Sequence, residues 1–315
     1  MNALFQLKRS FKMNGILPLW KEKGMTSHDC VFKLRKILGT KKVGHTGTLD
    51  PSVEGVLPIC IGQATKVAEY VTDMGKEYVA VVSIGQTTET EDADGEVVAT
   101  DDSHKIISRQ AIEEALKKLT GDIIQIPPMY SAVKVNGRRL YEYARKGIEV
   151  ERPERTVEIK KLELLDSAEL FEGTDVTFTI RIACGKGTYI RTLAVQIGEL
   201  LGYPAHMVSL VRTVSGAYQQ ADCLTLDEVA KVKEEGQIDS HLRPLEEALL
   251  EFSFAEVDEE EYVKIIHGQV LPQHPQLTTA EPIVFMKNGK ALAVYKMHPT
   301  KPGLMKPEKM FPVNI

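Results

Sequence analysis

Residues 174–202, TDVTFTIRIACGKGTYIRTLAVQIGELLG, change their hydrophobic period halfway along. Val176, Phe178, Ile180 and Ile182 alternate with more polar neighbours, which puts them on one face of a β-strand. Beyond a glycine-rich bend, Ile190, Leu193, Ala194, Ile197, Leu200 and Leu201 recur every three or four residues, the apolar stripe of a helix. A strand followed directly by an amphipathic helix predicts a sheet with helices packed on it.

Working outward, TSHDCVFKLRKILG (26–39) places Val31, Leu34, Ile37 and Leu38 on one helical face, with Thr26 or Ser27 as the cap. EYVAVVSIGQTT (77–88) reads as a valine-rich strand, and the acidic DADGE beyond it as a turn or mobile loop. SRQAIEEALKKLTG (108–121) is a helix with a glycine stop, and RTVEIKKLELLD (155–166) is another strand. Between them, IIQIPPMYSAVKVNGRRLYEYARKG (123–147) has paired prolines that forbid regular structure before a short basic helix. The order shows no βαβ regularity and no glycine fingerprint for a dinucleotide or P-loop, so the reading is a mixed sheet without a nucleotide cofactor. After a polar stretch, GQIDSHLRPLEEALL (236–250), the tail offers short possible strands in VKIIHGQVL (263–271), PIVFMKNGKALAVYKM (282–297) and KMFPVNI (309–315). Short strands between proline- and glycine-rich turns suggest a small β-barrel module, either a second grip on a ligand or a packing unit.

With 315 residues, 43% hydrophobic and 26% charged, the chain is long enough for a large domain with a smaller companion. No run approaches a membrane span, and the first dozen residues lack a secretory pattern. Four cysteines far apart, without a CxxC pair, point to a reducing compartment, hence the cytoplasm. No histidine cluster implies a metal. The formal net charge of -5 does not advertise nucleic acid, but its distribution is uneven. Lys33, Arg35, Lys36, Lys41 and Lys42 occur without an acid from 31 to 42; Lys134, Arg138, Arg139, Arg145 and Lys146 face only Glu142. These are either ordinary solvated faces or contacts to a folded polyanion. The acidic stretch 89–102 suits no phosphate contact.

One loop concentrates unusual chemistry. KKVGHTGTLDP (41–51) frames Asp50 with Gly44, Gly47, Thr46, Thr48 and His45. A carboxylate held so tightly suits a nucleophile or general base, whereas an aspartate before proline also commonly caps a turn. Asp50 with Glu54 as a glycosidase pair is the weaker alternative. Arg191, in GKGTYIRT, starts the patterned helix, where the dipole favours anions; an arginine there is either a surface salt bridge or the holder of a carboxylate or phosphate. Tyr78 and Tyr189 are either core or base-stacking rings.

Taken together, GMTSHD (24–29), KKVGHTGTLDP, GVLPICIGQATK (55–66), KEY (76–78), QIPPMYSAVKVNGRRLYEYARKG (125–147) and GKGTYIRTLA (185–194) resemble the bacterial tRNA pseudouridine synthase B, or TruB, family. The resemblance runs over nearly the whole chain. It implies an α+β catalytic domain with a mainly antiparallel sheet over residues 14–240, after an extension at 1–13. It also implies a PUA-like RNA-binding domain at 241–315. The implied activity is isomerisation of uridine 55 in the tRNA T-loop, with the target base flipped into a pocket, no cofactor and no obligatory protein partner. Asp50 would be the essential carboxylate, Arg191 its ion-pair partner and Tyr78 the active-site tyrosine. His45, Lys21, Tyr189 and Leu210 would meet the substrate; Lys33, Lys36, Lys41, Lys42, Lys134, Arg138, Arg139 and Arg145 would face the RNA backbone. Two departures stand out: Glu22 follows Lys21 where the family usually has proline, and PSVEGVLP (51–58) replaces the commoner PLATGVLP.

Overall fold

The computed structural model describes residues 13–278 and 281–312. The expected extension therefore lies, apart from Met13, outside the described residues, as does the end of the tail. A nine-stranded sheet forms the frame. Its main path runs Gly15–Lys21, Glu54–Ile61, Ala205–Ser215, Lys76–Ile84, Val176–Cys184, Arg155–Leu164 and Gly121–Gln125, with Val43–His45 and Tyr218–Gln219 added at the side. Every pairing is antiparallel except that of Glu54–Ile61 with Ala205–Ser215. The sheet is mixed and mainly antiparallel.

The stretch 174–202 behaves as its periods predict: Val176–Cys184 alternates between buried and outward positions, and helix Ile190–Leu201 follows. That helix and Arg109–Lys118 pack their apolar faces on the sheet around Ile180, Ile182, Leu193 and Ile197. Helix Ser27–Leu38 is closed by a capping box between Thr26 and Asp29, and Gly39 ends it in the left-handed region. Together with helix Leu226–Glu234 it covers Leu17, Leu19, Leu57 and Ile59 at the other end of the sheet.

The proline-flanked insertion differs from its reading. It contains a two-stranded hairpin, Lys134–Val135 with Arg138–Arg139, before helix Leu140–Ala144. Asn136 and Gly137 take positive φ at its tip, the conformations such a two-residue turn demands.

The tail folds as a curled five-stranded sheet in the order Ser253–Glu256, Ile283–Lys287, Lys290–Met297, Leu304–Met310 and Leu271–Pro272, a PUA-like half-barrel. Two expected strands are corrected. VKIIHGQVL begins as the last turn of helix Glu259–Ile266, because Asp258 caps it and Ile265 turns inward at helical spacing, and only Leu271 enters a strand. The last strand begins earlier than Lys309, at Leu304. The half-barrel is packed on the catalytic part through Val67, Val71, Leu249, Val284, Val294 and Phe311, with Lys309–Glu69 (2.6 Å) at the rim. Among the described residues no helix is long and apolar enough to cross a membrane.

Candidate active site

The Asp50 loop lies between strands Val43–His45 and Glu54–Ile61, and four buried side chains tie down its backbone. Ser27, at the start of its helix, accepts the Leu49 N–H at 2.9 Å and donates to the Leu49 carbonyl. Thr46 donates to the Pro58 carbonyl at 3.0 Å. Lys21 is fully buried, and its Nζ donates to the carbonyls of Val53 (2.6 Å) and Glu22 (3.0 Å). Arg212, also buried, donates from Nε to the Val56 carbonyl at 2.7 Å, with Nη2 3.5 Å from that of Gly47. Where Glu54 and Gly55 meet strand Ala205–Ser215, a Cβ on Gly55 would lie 2.3 Å from the Arg212 carbonyl oxygen. Only glycine permits that approach.

Opposite the loop stands Arg191. Its Nη2 is 3.2 Å from Asp50 Oδ2 and donates to the Tyr130 carbonyl; its Nη1 is 3.4 Å from Asp92 Oδ2 and donates to the Thr90 carbonyl, both hydrogen bonds 2.9 Å. The guanidinium is almost completely buried, so each of these acceptors offsets part of its missing hydration. Asp50 keeps 42% of its side chain accessible, open to a ligand on one side while paired on the other. Burial pushes its carboxyl above the ordinary carboxylate range; Arg191 opposes that rise and the Asp92 charge adds to it.

Tyr78 is buried in strand Lys76–Ile84, directly across from Arg212 in the register. Burial raises its phenol, with the Arg212 guanidinium as the main opposing influence. Lys76, two residues earlier and nearly buried, donates to the Thr72 and Met74 carbonyls; burial brings its ammonium down to about 8. Arg212 and Lys76 meet under the same loop, since a Cβ at Gly47 would be 3.7 Å from each.

The remaining sequence candidates fall into three groups. His45 and Leu210 border this centre: His45 Nδ1 accepts the Gly47 N–H at 3.4 Å, and burial pushes its imidazole below the ordinary histidine value. Leu210 is buried opposite Ala80. Lys21 and Tyr189 are fixed through backbone groups. The Lys21 ammonium faces loop carbonyls, whereas Tyr189 has its backbone gripped on both sides by the buried Gln125 amide, at 2.9 and 3.1 Å. The eight basic residues Lys33, Lys36, Lys41, Lys42, Lys134, Arg138, Arg139 and Arg145 are all exposed.

Two members of the centre, Asp92 and Arg212, carry no motif that marks them in the sequence. Asp92 belongs to the acidic stretch expected as a turn or mobile loop. It is buried, accepts from Thr90 Oγ1 and the Asp94 N–H, and Glu91 beside it takes a φ of 65° while accepting from Thr192 Oγ1 at 2.6 Å. No local pattern distinguishes Asp92 from its acidic neighbours. Arg212 has one usable signal, a full charge flanked by Leu210, Val211 and Val214 in AHMVSLVRTVS (205–215).

Comparison with known proteins agrees with this architecture. The model of the TruB family pseudouridylate synthase N-terminal domain matches residues 35–190, and that of the tRNA pseudouridylate synthase B C-terminal domain matches 191–250. The tRNA pseudouridine synthase B of Listeria welshimeri is 56% identical over 304 residues, covering 96% of this chain and 99% of the relative. The Listeria innocua protein of that name is 59% identical over 300 residues, covering 95% and 98%. Among solved structures, a Cbf5-Nop10-Gar1 complex aligns with a TM-score of 0.70 and 29% identity over 95% of this chain and 85% of that one. An H/ACA RNP bound to a substrate RNA containing 2'-deoxyuridine gives 0.70 and 26% over 96% and 86%. With both family models matching in sequence order and relatives of this identity spanning nearly the whole chain, the chain belongs to the TruB family of pseudouridylate synthases.

Proposed function

We propose that this enzyme isomerises uridine 55 in the T-loop of tRNA to pseudouridine, in the cytoplasm, with Asp50 as the catalytic carboxylate. The observation that carries the reading is the half-accessible Asp50 paired with a buried arginine beside a buried tyrosine. The reaction breaks the N1–C1' bond, turns the uracil, forms C5–C1', and moves the C5 proton to solvent while N1 regains one. No electrons enter or leave, so the site needs no redox group.

Attack on C1', addition to C6 and removal of a sugar proton all begin with an ionised Asp50. Arg191 supports that charge, which burial alone would neutralise. Tyr78 stacks on the base, with Leu210 and His45 bordering the flipped nucleotide. A uridine inside a folded loop is out of reach of these groups until it leaves the stack. The basic faces of helix Ser27–Leu38, the 41–42 turn and the 134–146 insertion grip phosphates, and residues 241–315 hold the acceptor end.

The experiment is to incubate purified protein with an unmodified tRNA transcript and map pseudouridine by position. Modification confined to the T-loop uridine supports the proposal. Product at another position, or in another RNA only, contradicts it.

A further inference from the structure

Helix Ser27–Leu38 carries a ring that the fold does not bury. Cys30, Val31 and Leu34 face the core, but Phe32 is 53% exposed. Single exposed apolar residues are common, so exposure alone decides nothing. Three further observations do. Lys36, one turn later, holds its Nζ 4.4 Å over the ring, a cation–π contact. His28, one turn earlier, is exposed at the same helical spacing, which makes a His28–Phe32–Lys36 stripe. The stripe starts next to the reaction centre: Ser27, the residue before His28, is bonded to Leu49 beside Asp50. At 1.5 Å per residue, Phe32 stands about 7.5 Å along the axis from Ser27.

The surrounding charge selects the occupant. Lys33, next to Phe32 in the chain, and Lys41 and Lys42, in the turn after the helix, are exposed, while Asp29 on this helix is engaged in the capping box with Thr26. An exposed ring flanked by lysines matches a strand of nucleic acid, whose bases stack while its phosphates meet the cations. We propose that Phe32 is a stacking platform for an unpaired nucleobase within one or two nucleotides of the one entering the Asp50 pocket. Lys36 orders the ring in the free protein and supplies charge for the adjoining phosphate. This inference rests on the RNA-isomerase reading and adds to it a base contact outside the catalytic pocket.

The test compares wild type with Phe32→Ala, Phe32→Trp and Lys36→Gln for binding of an unmodified tRNA transcript across a salt series. Phe32→Ala weakens binding about tenfold with the salt slope unchanged, in the range expected for removing one base stack. Lys36→Gln lowers the slope by about one. Phe32→Trp keeps the affinity, and its added emission, above the background of Trp20, the single native tryptophan, is quenched by the RNA. Phe32→Ala binding within about twofold of wild type, or an unquenched Phe32→Trp, overturns the proposal, with equal melting temperatures showing that each variant is folded. Quenching already present without RNA and relieved by deleting residues 1–12 assigns the ring to the chain's own segment and also overturns it. Failure of the parent reading is separate: wild type itself would then leave the transcript unbound or unmodified.

Discussion

Arg191 divides one guanidinium between two carboxylates and two carbonyls, so its hold on Asp50 depends on residues far away in sequence. Asp92 contributes with two signs. It anchors the guanidinium, and its charge raises the Asp50 carboxyl. Replacing Asp92 by Asn removes the repulsion, so Asp50 ionises at lower pH. The acid limb of kcat/KM then moves down, while kcat falls about tenfold or more because Arg191 loses an anchor. A pH profile of the Asp92→Asn variant checks both; an upward shift of that limb contradicts the account. Arg212 has a different task, since it touches loop carbonyls under Asp50 and faces Tyr78. Arg212→Lys keeps a cation but not the fork that spans Val56 and Gly47. It is expected to lower kcat about 100-fold with little change in tRNA affinity, as for a displacement of roughly 1 Å at the reacting groups. A parallel fall in binding would contradict a role confined to the reacting groups.

Elements with an undisturbed period are the most legible in the sequence. Val176–Cys184 and Ile190–Leu201 show strict alternation and a clean helical stripe, and each takes the structure its period requires. Strand Ala205–Ser215 sits near the centre of the sheet, yet register shifts between Met207 and Ser209 and between Arg212 and Val214 interrupt its alternation. The same disruption hides Arg212. The 134–139 hairpin escapes because two-residue strands carry no period at all; its Asn-Gly turn is the one available signal. This hairpin presents Lys134, Arg138 and Arg139 to solvent, away from the packed sheet. Changing all three to Gln is predicted to reduce the slope of log affinity against log salt by up to about three, one for each phosphate no longer neutralised. Filter binding over a salt series measures it, and an unchanged slope would remove the hairpin from the RNA interface.

At the scale of the whole molecule, the proposed chemistry and the proposed RNA contacts are separated. Asp50, Arg191, Asp92, Tyr78 and Arg212 are gathered from five places along the chain, and the sheet's crossovers bring them together. The Asp50 loop and the start of the arginine helix stand out by motif, but their meeting is a consequence of topology that no local spacing encodes. The exposed basic residues stand on helix Ser27–Leu38, the turn after it and the insertion, and the half-barrel is fixed to the catalytic part by a shared apolar cluster. A change confined to the carboxylate should therefore leave the RNA surface intact. Asp50→Asn is nearly isosteric and retains a carbonyl oxygen toward Arg191, but it supplies no nucleophilic or basic carboxylate. The decisive measurement follows that variant with one unmodified tRNA transcript, recording affinity and pseudouridine formed. The account predicts affinity within a few fold of wild type and no detectable pseudouridine; product formed at a wild-type rate would contradict it.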